Sequence, residues 1–180
     1  MKIMKSFVLA IVLITTLNGL AQNTVSENNL VKDANEVSGI ITSMVNLNDS
    51  IYAGITFDSI INSYKGKVIY LDFWASWCRP CKNEMPYSLK MQQYFKGKDI
   101  VFLYLSSDRN PKAWETAVDQ LKLTGENYLV NGRVHNEYNQ LFNVKYIPRY
   151  VLINKDGNVV EENAKRPSSS EIIIDIEKLL

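Results

Sequence analysis

The chain has 180 residues, 46% of them hydrophobic, with 20 Lys plus Arg against 19 Asp plus Glu. That length suits one domain with a full core. The near-neutral balance contains no basic block or stripe, so nucleic acid is not an expected partner.

The N-terminus reads MKIMKSFVLAIVLITTLNGLAQN, with Lys2 and Lys5 the only charges before Glu27. A basic start, an apolar run over residues 7–17 and the exit Gly19-Leu20-Ala21 predict a signal peptide over residues 1–21, cleaved after Ala21. The alternative is an uncleaved membrane anchor, but the run falls well short of the roughly 20 residues that span hydrocarbon. No cysteine lies near the exit for lipid attachment, and no other segment is long and apolar enough to cross a membrane. Cleavage removes both lysines and leaves 159 residues, with 18 basic groups against 19 acidic. The expected location is periplasmic or otherwise extracytoplasmic.

Residues 22–50 are polar and rich in Asn and Ser, with a modest apolar patch over 40–45. They are expected to form a loose extension with at most a strand or two, and the folded domain is expected over 51–180. A short strand is expected over 51–57, and a short helix over 58–64 with Asp58 as its N-cap. After Gly66, the run VIYLDF over 68–73 has the β-branched and aromatic content of a buried strand. Residues 74–78 turn, and Pro80 suits a first helical turn, where its missing N–H costs nothing. A helix is expected over 81–95, kinked at Pro86. IVFLYL over 100–105 predicts a second buried strand. Residues 111–121 predict an amphipathic helix with Trp114, Ala117, Val118 and Leu121 on one face. A short helix over 136–142, a strand over 150–153, a turn over 155–158 and a return strand over 159–160 follow. Ser168 to Ser170 can cap a last helix over 171–180. Strands alternating with helices predict an α/β fold, and the closing hairpin makes the sheet mixed.

The only two cysteines, Cys78 and Cys81, lie between the first strong strand and the helix after it. An exported chain meets an oxidising compartment. A disulfide three residues long closes a tiny loop and stabilises little, which favours a bond that opens and closes over a structural staple. At a helix start, free N–H groups and the positive dipole end stabilise a thiolate. Cys78 is therefore the expected nucleophile toward a disulfide sulfur, and Cys81, one turn further in, the resolving thiol. Three other readings stand beside this one. A structural zinc site needs four ligands, whereas the chain offers one Cys pair and one histidine, His135. A copper chaperone could use two Cys and a His, but a helix-start Cys-x-x-Cys fits it poorly. A peroxidase of the peroxiredoxin type shares the general architecture but not the WASWCRPC context. No metal site is assigned.

The segment FWASWCRPCK resembles the active-site segment of thioredoxin-fold proteins, and WCRPCKNEMP resembles their extracytoplasmic branch related to TlpA and ResA. YIPRYVLINKDGNVV is similar to the branch's cis-proline loop and hairpin, and AKRPS to the segment before its last helix. The likeness covers residues 57–180. It implies a thioredoxin-like fold, a central mixed β-sheet flanked by helices in a single domain.

By this resemblance Pro148 is a cis-proline beside the disulfide, and Ile147 presents its backbone to an extended substrate segment, as an added strand would use it. Trp77 flanks the disulfide and shapes the docking surface, while Trp74 is packed. Asp72 sits where thioredoxins carry a buried acid; alternation along the strand puts it on one face and both neighbours on the other. It is the expected proton acceptor for Cys81. Glu84 sits where the ResA-like branch carries a Glu, and is either an acid/base group or a solvated first-turn acid. Carrying both acids departs from either branch. Arg149 replaces a small residue; it meets an acidic partner or is solvated. Arg79, a cation between the cysteines, favours the Cys78 thiolate. His135 is assigned no role.

The expected protein is a monomeric, exported thiol–disulfide oxidoreductase that reduces disulfides in exported proteins, with apocytochrome c as one candidate. Its only redox group is the Cys78–Cys81 dithiol/disulfide, without a separate cofactor. With no nicotinamide or flavin motif, it needs a membrane electron donor of the thiol-transfer type. The alternatives are a dithiol oxidase or isomerase, and a non-catalytic thioredoxin-like module that docks a partner or a metal.

Overall fold

The computed structural model describes residues 42–180. The expected signal peptide over 1–21, and residues 22–41 of the expected extension, lie outside the described residues. No described helix is long and apolar enough to cross a membrane.

Among the described residues, six strands form one sheet. β1 (Thr42–Asn46), β2 (Val68–Trp74), β3 (Ile100–Ser106), β4 (Gly125–Leu129), β5 (Arg149–Ile153) and β6 (Val159–Glu161) lie in the order β1-β4-β3-β2-β5-β6. β1, β4, β3 and β2 run parallel, whereas β5 and β6 are antiparallel additions. Five described helices cover the two faces: α1 (Phe57–Asn62), α2 (Arg79–Tyr94), α3 (Pro111–Leu121), α4 (Gly132–Phe142) and α5 (Glu171–Glu177).

β2 and β3 form the middle of the sheet because both are continuous apolar runs that can be buried on both faces. In β2, Val68, Tyr70 and Trp74 pack into one core with Met85 and Met91 of α2, Trp114 and Val118 of α3, and Ile172 and Ile176 of α5. Ile69, Leu71 and Phe73 alternate into the opposite core, with Phe57, Ile60 and Ile61 of α1 and Val134, Tyr138 and Phe142 of α4. This period-2 split is what turns Asp72 toward the α2 side.

Several expectations change. Residues 51–57 form no strand: Ser50–Tyr52 is a single 3₁₀ turn and α1 begins at Phe57. The α1 cap is Thr56, not Asp58; its hydroxyl accepts from Ser59 N–H while the Ser59 hydroxyl accepts from Thr56 N–H, a reciprocal capping box. The sheet starts before residue 51, because β1 pairs with β4 over Thr42–Asn46. β4 itself was not expected. Its first three residues, Gly125, Glu126 and Asn127, are poor strand formers, and pairing to β1 and β3 on both sides imposes the extended conformation. Gly125 is required there: its φ is +95°, and a Cβ would lie 2.7 Å from the Phe102 carbonyl oxygen. α4 starts at Gly132 rather than 136, because the Asn131 side chain accepts from Val134 N–H and caps it. α5 ends at Glu177, and Ser170 makes no side-chain cap.

Candidate active site

Cys78 and Cys81 form a disulfide at the junction of β2 and α2, with Cα atoms 5.3 Å apart. Cys78 is the α2 N-cap, and its Sγ accepts the Cys81 backbone N–H at 3.2 Å. The capping role usually filled by a Ser or Asp oxygen is thus filled by sulfur. Arg79 and Pro80 form the first helical positions, and α2 continues through Pro86 although that residue cannot donate to the Lys82 carbonyl. Cys81 is fully buried and Cys78 nearly so.

The turn leading into Cys78 is fixed by Asp108, a residue that sequence reasoning did not single out. Its carboxylate accepts from Ser76 N–H at 2.8 Å, the Ser76 hydroxyl at 2.6 Å and the Ser106 hydroxyl at 2.7 Å. Ser107 N–H donates to the Trp74 carbonyl, so the end of β3 clamps the exit of β2. The only sequence signal was an acid just past the second apolar strand; its partner lies 32 residues earlier.

Asp72 points from β2 toward the α2 face and is 1% exposed. Neither carboxylate oxygen has a hydrogen-bond partner. Its strand neighbours across the sheet are Tyr104 and Tyr150. Burial, and secondarily the charge of Glu84, push the Asp72 carboxyl well above the usual carboxylate range. Tyr70, Tyr104 and Tyr150 are themselves pushed up, first by burial and further by the charge of Asp72. The Tyr104 hydroxyl is bonded to Ser88 and Gln92, whereas the Tyr150 hydroxyl has no partner.

Glu84 is buried, so it is not a solvated first-turn acid. Its carboxylate accepts from Ser168 N–H at 3.0 Å and from the Ser168 hydroxyl at 3.1 Å, with the Arg166 guanidinium 4.0 Å away. Tyr70 donates to the Lys165 carbonyl, and Ala164 N–H to the Tyr150 carbonyl. The loop before α5 is thereby held against the active-site helix. Ser168, expected to help cap that last helix, instead binds Glu84.

The Ile147–Pro148 peptide is cis. Ile147 packs against the core that contains Cys78 and Cys81. Trp74 is buried, while Trp77 stands 67% exposed beside Cys78. Arg149 takes neither expected form: its side chain donates to the Glu162 carbonyl at 2.8 Å and lies 3.5 Å from that of Phe142. Among the described residues, no cluster of three or more His, Cys, Asp or Glu side chains could hold a metal ion.

Strand, disulfide at a helix N-cap, buried acid and cis-proline loop together define a Cys-x-x-Cys disulfide protein with a thioredoxin-like architecture. A thioredoxin-like family profile matches residues 66–159, just over half of the chain, and the chain belongs to that family. It is 32% identical over 102 residues to the thiol-disulfide oxidoreductase ResA of Bacillus thuringiensis subsp. konkukian (strain 97-27), over 57% of each chain. It is 29% identical over 101 residues to ResA of Bacillus subtilis (strain 168). The chain thus spans 57% of the length of the first of these relatives and 55% of the second. Among solved structures, a Bacteroides vulgatus protein assigned as a thiol-disulfide oxidoreductase is 41% identical, with a TM-score of 0.59 over 66% of this chain and 82% of that one. The thioredoxin domain of another oxidoreductase from the same organism is 27% identical, with a TM-score of 0.58 over 65% of this chain and 81% of that one.

Proposed function

We propose that this protein is an extracytoplasmic thiol–disulfide oxidoreductase that reduces disulfides in exported proteins, cytochrome c precursors among them. The observation that carries the reading is the sulfur at the α2 N-cap, together with a buried, unpartnered carboxyl, Asp72, on the strand that leads into it. Released from the disulfide, the Cys78 sulfur keeps the Cys81 N–H and the helix dipole, which favour the thiolate. Trp77 and the Ile147–Pro148 loop receive the substrate segment, which pairs with the Ile147 backbone.

In the forward direction the Cys78 thiolate attacks one sulfur of the substrate disulfide. The substrate S–S bond breaks, a Cys78–substrate bond forms, and the leaving substrate thiolate takes a proton from solvent. Cys81 then gives its proton to ionised Asp72 and attacks Cys78 Sγ. The mixed disulfide breaks, the second substrate thiolate leaves, and Cys78–Cys81 is oxidised. Two electrons pass to the substrate, and a membrane dithiol donor returns them to Cys78–Cys81. A carboxyl held above its usual range suits this task, since it takes up a proton more readily than an ordinary carboxylate and returns it later. Glu84 acts on the same step through its charge, which raises Asp72. A signal peptide over 1–21 delivers the chain to this compartment.

The test is turnover of a disulfide substrate by the purified mature chain, driven by a dithiol donor. Cys78→Ser is expected to abolish it. Full activity in that variant would end the reading, including its catalytic role for the pair.

A further inference from the structure

A groove of about 1100 Å³ opens on the Trp77 side of the disulfide. Ser76 and Trp77 form its inner end; Arg109 and Asn110 enter from the loop before α3, and Asn131 and His135 from the start of α4. It is separate from the loop that carries Glu84's partners. Its exposed charge is one-sided: Arg109 faces solvent, whereas the Asp108 carboxylate is buried. Asp108 is the only carboxylate lining it, and both of its oxygens are engaged by Ser76 and Ser106. Arg109 is exposed and makes no ion pair among the described residues. Neither α3 nor α4 has an acid in its first turn to oppose it.

We infer that this groove docks an acidic, extended segment of the disulfide-bearing partner, and that Arg109 selects it. The inference rests on the proposed oxidoreductase reading and deepens it. The groove is continuous with the reactive end: Trp77 is both its inner wall and the neighbour of Cys78. The Trp77 ring offers an apolar face to the residue next to the target cysteine. A carboxylate a few residues further along meets the Arg109 guanidinium, which binds carboxylates through paired N–H donors. A lysine there would meet the exposed Arg109 cation instead. Specificity thus comes from charge attraction for one class of segment and repulsion of the other.

Two peptides test this with the full mature chain. Each carries one intramolecular disulfide, flanked by Glu in one and by Lys in the other. The wild type is expected to favour the Glu peptide in kcat/KM by about tenfold at low salt, the preference shrinking as salt rises. Arg109→Glu is expected to reverse the preference, and Arg109→Lys to retain part of it. Equal kcat/KM for both peptides in the wild type would overturn the inference while leaving the redox reading intact. A second measurement does not depend on turnover. Titrating the ¹⁵N-labelled chain with a Glu-rich peptide that has no cysteine should move the Trp77 indole and Arg109 amide signals, and its Lys-rich counterpart should not. Such shifts without turnover of any disulfide would support the docking groove and overturn the oxidoreductase reading. Signals unmoved by either peptide would overturn the groove.

Discussion

Replacing Asp72 with Asn keeps the shape of the side chain and removes its ionisation. Both carboxylate oxygens are buried without a hydrogen bond, so the amide loses no partner. The folded state raises the Asp72 carboxyl, by burial first and by Glu84 second. A raised carboxyl favours folding while it is neutral: that contribution is complete below the unfolded value of about 3.9 and is lost as pH rises through the folded value. Within that window the folded protein holds one proton more than the unfolded chain, which costs the wild type about 1.4 kcal/mol of stability per pH unit from this group. Asp72→Asn lacks this slope. Its stability should match that of the wild type to within about 1 kcal/mol near pH 4, the scale of one buried polar contact. It should then pull ahead with rising pH, by a total on the order of several kcal/mol, the penalty for a buried unpaired ion. Where the gap stops growing marks the folded-state titration of Asp72. Urea unfolding of the oxidised proteins from pH 4 to 9.5 at fixed ionic strength measures it. Parallel stability curves across that range would refute the reasoning, because they would mean that ionising Asp72 costs the fold nothing.

Glu84→Gln should move the end of that growing gap to lower pH, since the like charge that helps raise Asp72 is gone; the same urea series reads it. Glu84→Ala removes both bonds to Ser168 and should cost about 2 kcal/mol, with faster hydrogen exchange at the Ser168 amide. Gly125→Ala forces a side chain into positive φ and against the Phe102 carbonyl; a loss of about 2–4 kcal/mol is expected in the urea midpoint. Asn131→Ala removes the α4 cap and the 2.9 Å bond to the Leu47 carbonyl, and should lower stability by about 2 kcal/mol.

The parts of the fold visible in the sequence are those with strong local signals. VIYLDFW and IVFLYL are apolar enough to be strands wherever they fall, and they occupy β2 and β3 at the centre of the sheet. The cysteine pair, Pro80 and the 3.6-residue spacing of Trp114, Ala117, Val118 and Leu121 mark α2 and α3 just as locally. The face of Asp72 followed from strand alternation alone. What stayed hidden depends on distant partners. β4 begins Gly-Glu-Asn and extends only because two strands flank it. β1 falls on the modest apolar patch over 40–45, where a strand was allowed for, but its place at the edge of this sheet comes only from pairing with β4. Ser168 reads as a helix cap beside α5, yet it bonds Glu84, 84 positions earlier in the chain. Asp108 holds the active-site turn across 32 residues. Thr56 outcompeted Asp58 as the α1 cap because Ser59 completes a reciprocal box with it.

The central claim is that Cys78–Cys81 works as a reductant. Equilibrating the mature chain with graded thiol buffers and quantifying oxidised against reduced protein yields the potential of the pair directly. A value near or below about −250 mV is expected, toward the reducing end of known dithiol proteins. A value near about −120 mV would contradict it, because such a pair hands its disulfide to other proteins instead of removing theirs.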